Sequence, residues 1–315
     1  ITGPIYLTIA AGYLAVRLDL FAKSDMQVLG RFVLNLALPC MIFGAIASRD
    51  LHDILHPAYL FAYAAGSLLV LGFGFFWSRT LQRESFAAST LNAMGMSCAN
   101  SGYVGFPILL LTLPSVAATA LALNVVIENI LILPLLLVLA EHGQNGNQPW
   151  YRTVVQCFKR LITNPLVIAL MAGMLVSLLS LKLPEPLTRT TTLFAQASSA
   201  ISLFVIGGTL TGLSLQGMAR QISPIIAGKL LLHPLAVGLC LWFGLQIGLP
   251  SQDKTLQLAA LLSAAMPMMG IYPILAQRYG LENIAAAASL GATIISFFTL
   301  SAAIWGVTHF AGFAA

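Results

Sequence analysis

Two stretches of the chain place polar side chains beside glycine and proline within otherwise apolar sequence. They are Asn100–Pro107, which reads NSGYVGFP, and Met266–Pro273, which reads MPMMGIYP. Proline removes a backbone donor and glycine loosens the backbone, so each stretch predicts an unwound part of a helix. Amides freed where the next half-helix begins, near Pro107 or Pro273, suit a carboxylate ligand. The candidate ligand-binding residues are Asn100, Ser101, Gly102, Tyr103, Gly105, Pro107, Met266, Pro267, Gly270, Tyr272, Pro273 and Asn35.

The two stretches correspond to each other along the chain. Aligning Pro107 with Pro273 also aligns the Ile-Leu pair that follows each proline. Two broken helices at matching positions in two halves of a membrane protein are typical of a transporter's binding site. The alternative is that both are ordinary proline kinks in packed helices.

Glu128 is the one acidic residue deep inside an apolar segment of the sequence. A carboxylate at the middle of a bilayer costs at least ~2.5 kcal/mol, so we expect it to face the protein interior and to be paired or protonated. Asn124 lies one helical turn earlier on the same face. Glu128 and Asn124 could bind a proton or a polar group of the substrate, or they could tie this segment to the broken helix before it.

Lys229 and His233 share one face of another apolar segment. Lys229 is close to the predicted cytoplasmic end, so we interpret its amine as extending to the membrane surface. The alternative is an ion pair with Glu128, which would give Lys229 a part in coupling. Asn35 stands before Pro39 in the stretch NLALPC, and we interpret its side chain as bonding backbone groups that the proline releases.

The sequence offers little for enzyme chemistry. His52 and His56 have a helical spacing of metal ligands, but Asp53 replaces the glutamate of the HExxH motif and a third ligand is not evident. Nucleophile-elbow, phosphate-loop and dinucleotide motifs are absent from the sequence. We therefore predict neither an enzyme nor a metal or other cofactor.

Composition predicts an all-α polytopic membrane protein. Hydrophobic residues make up 58% of the chain and charged residues 8%, whereas about a quarter of a soluble domain is charged. The partner implied is the lipid bilayer and not nucleic acid, because the basic residues are spread over short loops. The predicted membrane segments, numbered 1 to 10, are residues 4–20, 28–47, 57–78, 85–113, 115–140, 165–181, 193–213, 222–248, 255–277 and 283–310.

Charge predicts the orientation of these segments. Ten Lys and Arg residues fall in the odd-numbered connections and four in the even-numbered ones. This excess predicts that the odd-numbered connections are cytoplasmic and that both termini lie outside the cytoplasm. Residues 1–141 and 165–315 each hold five segments, so the second half enters the membrane with inverted topology. Residues 142–164 form a cytoplasmic linker with a predicted interfacial helix.

The motifs NLALPC, NSGYVGFP, GGTL and AAMP with QRYG resemble the auxin efflux carrier family over essentially the whole chain. The resemblance implies ten transmembrane helices as two inverted five-helix repeats, with broken helices 4 and 9 crossing at Pro107 and Pro273. It implies a scaffold of segments 1, 2, 6 and 7 and a transport domain of segments 3, 4, 5, 8, 9 and 10. Asn100 matches the polar position before the first break.

The resemblance implies a secondary transporter of a small organic anion, a mono- or dicarboxylate, in the bacterial inner membrane. Transport would follow an elevator type of alternating access, and the scaffold would allow a homodimer. The other hypotheses are a sodium-coupled symporter like the bile acid carriers, a membrane sensor that binds ligand without flux, and an intramembrane enzyme. Met266 makes the second break more apolar than the first, which speaks against assuming auxin as the substrate.

Overall fold

The computed structural model describes residues 3–48, 56–144, 155, 158–159, 162–181, 183–209, 211, 218–249, 253–277 and 279–310. Within these ranges the chain forms helices and short connections, and one isolated backbone bridge joins Ala99 to Met268. His52 of the histidine pair and most of the predicted linker helix lie outside the described residues.

The helices of the first half follow the predicted apolar segments closely. Segments 1 to 5 are, in order, Gly3–Arg17; Lys23–Ala47; Pro57–Thr80; the pair Phe86–Ser97 and Ser101–Thr112; and the run Ala117–Val126, Ile127–Ile132 and Leu133–Gln144. Proline at position 57 starts segment 3 because the first turn of a helix does not need that amide.

The second half repeats this organisation. Segments 6 to 10 are Pro165–Leu178; Glu185–Thr209; Ala219–Gln246; the pair Lys254–Ala265 and Tyr272–Gln277; and Glu282–Phe310. Asn164 and Asp253 cap two of these helices by accepting a backbone N–H of the first turn.

Six of these helices are long and apolar enough to cross a membrane, namely Lys23–Ala47, Pro57–Thr80, Ala117–Ala140, Glu185–Thr209, Ala219–Gln246 and Glu282–Trp305. Shorter apolar helices stand in segments 1, 4 and 6. The large apolar side chains exposed on these helices suit lipid rather than water, as on Phe298, which is 75% exposed. The protein is therefore an all-α membrane protein that crosses the bilayer several times.

Four helices contain a π-helical stretch, and each stretch ends two residues before a proline. The stretches are Val33–Ala37 before Pro39, Ser101–Gly105 before Pro107, Ile127–Ile132 before Pro134 and Gly228–Leu232 before Pro234. A proline ring collides with the carbonyl four residues earlier in an α-helix, and a wider turn moves that carbonyl away. Such insertions often accompany functional sites, and these four hold Asn35, Ser101, Glu128 and Lys229.

The chain divides into two compact units. The first unit comprises Ile1–Pro57, Ser101–Asn129 and Phe158–Gly212. Its segments 1 and 7 pack closely because glycines face backbone: a Cβ added at Gly12 would collide with the Phe204 carbonyl, and one at Gly207 with the Ile9 carbonyl.

The second unit comprises Ala58–Asn100, Ile130–Cys157 and Leu213–Ala315. Its segments 3, 4 and 8 approach each other through glycine. A Cβ added at Gly66 would lie 2.8 Å from the Val237 backbone, and one at Gly228 would lie 2.6 Å from Met96. This packing brings segment 8 against the part of segment 4 that precedes its break.

Candidate ligand-binding site

The interruptions of segments 4 and 9 pair with each other in the second unit. The Asn100 amide donates to the Pro267 carbonyl at 2.9 Å, and the Met269 amide donates to the Cys98 carbonyl at 3.2 Å. These bonds form the antiparallel bridge between Ala99 and Met268. Each break thus satisfies peptide groups of the other, which non-helical backbone at membrane depth requires.

The side chains around this bridge are mostly apolar. Met266 and Met268 are buried, and Tyr272 is buried with its ring against Gly95. Asn100 is half-buried and Gly270 is exposed. The carboxamide of Asn100 therefore lies at the bridge beside buried thioether and phenol side chains.

The first break is shorter than the sequence predicts. Residues 98–100 are outside helix, but Ser101–Gly105 is π-helix and Phe106–Thr112 is α-helix, so the predicted unwinding of Asn100–Pro107 is wrong beyond Asn100. The wider turn accommodates Pro107 without unwinding the chain. The sequence predicts a half-helix that begins near Pro107, but the half-helix begins at Ser101. In segment 9, residues 266–271 are outside helix, so the predicted unwinding of Met266–Pro273 extends as far as Ile271, and Tyr272 and Pro273 begin the next helix.

The remaining residues of the first motif lie in the first unit. Tyr103 donates from its hydroxyl to the Gly30 carbonyl at 2.6 Å, and so binds segment 2. Pro107 is the second residue of the helix Phe106–Thr112, and Gly105 is buried. Gly102 is half-buried beside Leu38.

Glu128 is buried, as expected for a carboxylate within an apolar segment. Its exposed fraction is 4%, and its Oε1 accepts the Ser101 hydroxyl at 2.7 Å. This hydrogen bond ties segment 5 to the first residue of the helix Ser101–Thr112. Asn124 is buried on the same segment, whereas Asn129 bonds the Val125 carbonyl and the Asn164 side chain.

Lys229 does not extend to the membrane surface, so that interpretation is wrong. The side chain is 0% exposed. Its amine lies 2.7 Å from Nδ1 of His233 and donates to the Ala264 carbonyl at 2.5 Å. Nε2 of His233 lies 2.9 Å from the Ser67 hydroxyl, and the edge of the Tyr63 ring meets the imidazole. The amine is held inside the protein by Ala264 of segment 9 and by His233, which Ser67 of segment 3 contacts in turn.

Asn35 lies at the surface of segment 2. Its side-chain amide donates to the Arg31 carbonyl at 2.8 Å, within its own helix. The carboxamide thus bonds backbone, but Arg31 belongs to the α-helix Lys23–Phe32 before the π-helical stretch and is not a group that Pro39 releases.

Two members of this cluster escaped sequence reasoning, the Ser67 partner of His233 and the Ala264 partner of Lys229. Ser67 is an ordinary small residue within an apolar segment, and the contribution of Ala264 is a backbone carbonyl. The spacing of Lys229 and His233 was the one signal of this cluster. Among the described residues, no group of three or more His, Cys, Asp and Glu side chains could hold a metal ion.

A polar cavity of about 380 Å³ opens beside the helix Phe86–Ser97 in the second unit. Its polar lining consists of Gln82, Glu84, Asn92, Arg220 and Gln221. Asn92 donates to the Ser78 hydroxyl at 2.8 Å and lies on the helix that ends at the first break. The cavity gives a polar face to the helix that leads to the bridge.

A helical membrane protein with two interrupted segments that pair has the organisation of a secondary transporter. A model of the family described as "Membrane transport protein" matches residues 3–305. The chain therefore belongs to this family, the auxin efflux carrier family, and is a transporter rather than an enzyme.

Relatives of full length agree with this assignment. A protein of Rhizobium meliloti (strain 1021) named "Putative malonate transporter" is 27% identical over 309 residues, which are 97% of this chain and 95% of the relative. The "Uncharacterized transporter YfdV" of Escherichia coli (strain K12) is 25% identical over 311 residues, which are 96% of this chain and 94% of that protein.

Proposed function

We propose that the protein is a secondary transporter of a small organic anion, a mono- or dicarboxylate. The observation that carries this proposal is the bridge between Ala99 and Met268, which joins two interrupted apolar segments. Asn100 supplies a hydrogen-bond donor at the bridge. The name of the Rhizobium relative, which mentions malonate, supports a carboxylate as the substrate class.

Alternating access of the elevator type is the mechanism we propose, on a fold of ten segments in two inverted repeats. The repeats are residues 1–141 and 165–315, joined by the linker 142–164. Segments 1, 2, 6 and 7 form the scaffold, and segments 3, 4, 5, 8, 9 and 10 form the transport domain. The pairing of the segment 4 and segment 9 breaks within one compact unit supports a transport domain that holds the substrate.

We place the protein in the bacterial inner membrane with both termini outside the cytoplasm. The excess of basic residues in odd-numbered connections supports this orientation. His142 and Asp253 are exposed and flank connections on opposite predicted sides. In a cysteine-free background and intact cells, Asp253→Cys should react with an impermeant maleimide and His142→Cys should not. The reverse labelling pattern would contradict the orientation.

A screen of carboxylates with purified protein tests the proposed substrate class. A ligand at 100 times its Kd adds ~2.7 kcal/mol to the free energy of unfolding, which a thermal shift detects. At least one of malonate, malate, succinate and acetate should raise the melting temperature. The corresponding amides should bind more weakly.

Counterflow in proteoliposomes then distinguishes a transporter from a protein that only binds. Labelled carboxylate should accumulate transiently in vesicles loaded with unlabelled carboxylate. Binding without counterflow for every ligand of the screen would contradict transport.

A further inference from the structure

The cluster around Lys229 has a consistent hydrogen-bond arrangement. An ammonium group has donors only, so it donates to the Ala264 carbonyl and to Nδ1 of His233. The imidazole then carries its proton on Nε2 and donates it to the Ser67 hydroxyl. Lys229, His233 and Ser67 are all at most 1% exposed, so the cluster is built into the interior.

The carbonyl that Lys229 binds belongs to the end of a helix. Ala264 is the last residue but one of Lys254–Ala265, and its carbonyl is one of the four that a helix leaves without an internal partner. The C-terminus of a helix carries a partial negative charge of about half an elementary charge, which a cation stabilises. Lys229 neutralises this end three residues before Pro267 of the bridge.

The bridge joins two such ends. Phe86–Ser97 and Lys254–Ala265 both run toward it with their C-termini, so both bring negative partial charge to the place where the breaks pair. These two helix ends would by themselves repel an anion on this side of the bridge. The helix Tyr272–Gln277 has six residues and offers little opposing charge.

We propose that Lys229 determines the anion specificity of this site, with His233 and Ser67 as its positioning residues. The buried ammonium offsets the negative partial charge that the two helix ends bring to the bridge. For an assumed separation of about 8 Å between the ammonium and a bound carboxylate, and an effective dielectric constant of about 20, Coulomb's law gives a change in affinity of roughly 30-fold. This inference rests on the proposed function, because it concerns the same site and the same substrate class.

Three variants separate charge from structure. Lys229→Gln keeps an N–H donor for the Ala264 carbonyl but removes the charge, and Lys229→Arg keeps the charge but changes the shape. Lys254→Gln is the matched control, because Lys254 is an exposed lysine at the opposite end of the same helix.

The measurement is the affinity for malonate and for its neutral diamide, malonamide, in detergent. Lys229→Gln should weaken malonate binding roughly 30-fold and change malonamide binding less than about 3-fold. Lys229→Arg should retain the preference for malonate, and Lys254→Gln should behave as the wild type.

Several results overturn the inference. Equal losses for both ligands in Lys229→Gln assign Lys229 a purely structural role, and unchanged malonate affinity excludes a charge effect. If Lys229→Gln cannot be recovered as folded protein, Lys229→Arg decides. Because arginine keeps the charge, loss of the preference for malonate over malonamide in this variant overturns the inference. A wild type that binds none of the carboxylates in the screen contradicts the proposed function instead.

Discussion

The structure places two buried charged side chains, one in each unit, beside residues that flank the helix breaks. In the first unit Glu128 accepts the hydroxyl of Ser101, the first residue after the break of segment 4. In the second unit Lys229 donates to the carbonyl of Ala264, at the end of the helix before the break of segment 9. The acid thus lies at a helix start and the base at a helix end.

This difference follows from the helix dipole. The start of a helix has a positive partial charge and its end a negative one, so each buried side chain has the sign that its helix end favours. Both charges lie on π-helical stretches before prolines, where the turn is wide. Glu128 and Lys229 therefore each stabilise the end of an interrupted helix. A role of either side chain in transport would come in addition to this structural role.

The largest effect should come from a reversed charge. Lys229→Glu places a carboxylate against the Ala264 carbonyl and should cost about 3 to 5 kcal/mol, the usual loss when a buried charge has no partner. We expect little monodisperse protein by size-exclusion chromatography. Normal yield and melting temperature would refute the match between charge and helix end.

Pro107→Ala should abolish transport and leave the protein folded. Without the proline ring, the stretch Ser101–Gly105 can close as α-helix, which turns Ser101 away from Glu128. Pro273→Ala should act in the same way if both breaks form one site. The test is counterflow alongside thermal unfolding, and two proline variants that transport normally would reduce the breaks to ordinary kinks.

Glu128→Ala should lower the free energy of unfolding by about 1 to 3 kcal/mol, because it leaves the buried Ser101 hydroxyl without its acceptor. Glu128→Gln keeps an acceptor and should lose less. Thermal unfolding in detergent distinguishes these two outcomes, and equal losses would show that the charge and not the hydrogen bond matters.

The same Glu128→Gln variant tests proton coupling. If Glu128 carries a proton in the cycle, the variant should transport without pH dependence. Unchanged pH dependence in a folded variant would leave Glu128 with its structural role alone.

The smallest effect should come from Lys254→Glu. Position 254 begins the helix whose end Lys229 neutralises, so a negative charge there should raise stability by about 0.3 to 1 kcal/mol at low salt. A comparable loss of stability would argue against a dipole effect in this helix.

Local sequence patterns predict much of the fold. Segment 3 was expected from Pro57 and segment 6 from Pro165, and both helices begin at those prolines. Apolar composition and N-terminal proline act within one helix, so a sequence reading can use them. The stretch after Asn100 could not be predicted in this way. A π-helical turn and an unwound break both relieve the collision of a proline ring with the preceding turn, and the sequence does not distinguish them.

The environment of Lys229 shows where sequence reasoning ends. Its position near a segment end favours the membrane surface, but Ala264 of segment 9 and His233, which Ser67 of segment 3 contacts, keep the amine inside. Such long-range contacts leave no local pattern. The burial of Glu128 could be predicted from the sequence, because the cost of a carboxylate in an apolar segment already requires an interior position.

The central claim is that the paired breaks bind the transported carboxylate, and Asn100 tests it most directly. Malonate affinity should be measured from concentration-dependent counterflow for Asn100→Ala and for Asn129→Ala, a control on segment 5 that removes the same carboxamide group. Loss of a hydrogen bond to a carboxylate costs ~1.5 to 3 kcal/mol, so Asn100→Ala should weaken malonate roughly 10- to 150-fold while Asn129→Ala does not. Equal affinity in Asn100→Ala and the wild type would contradict the account.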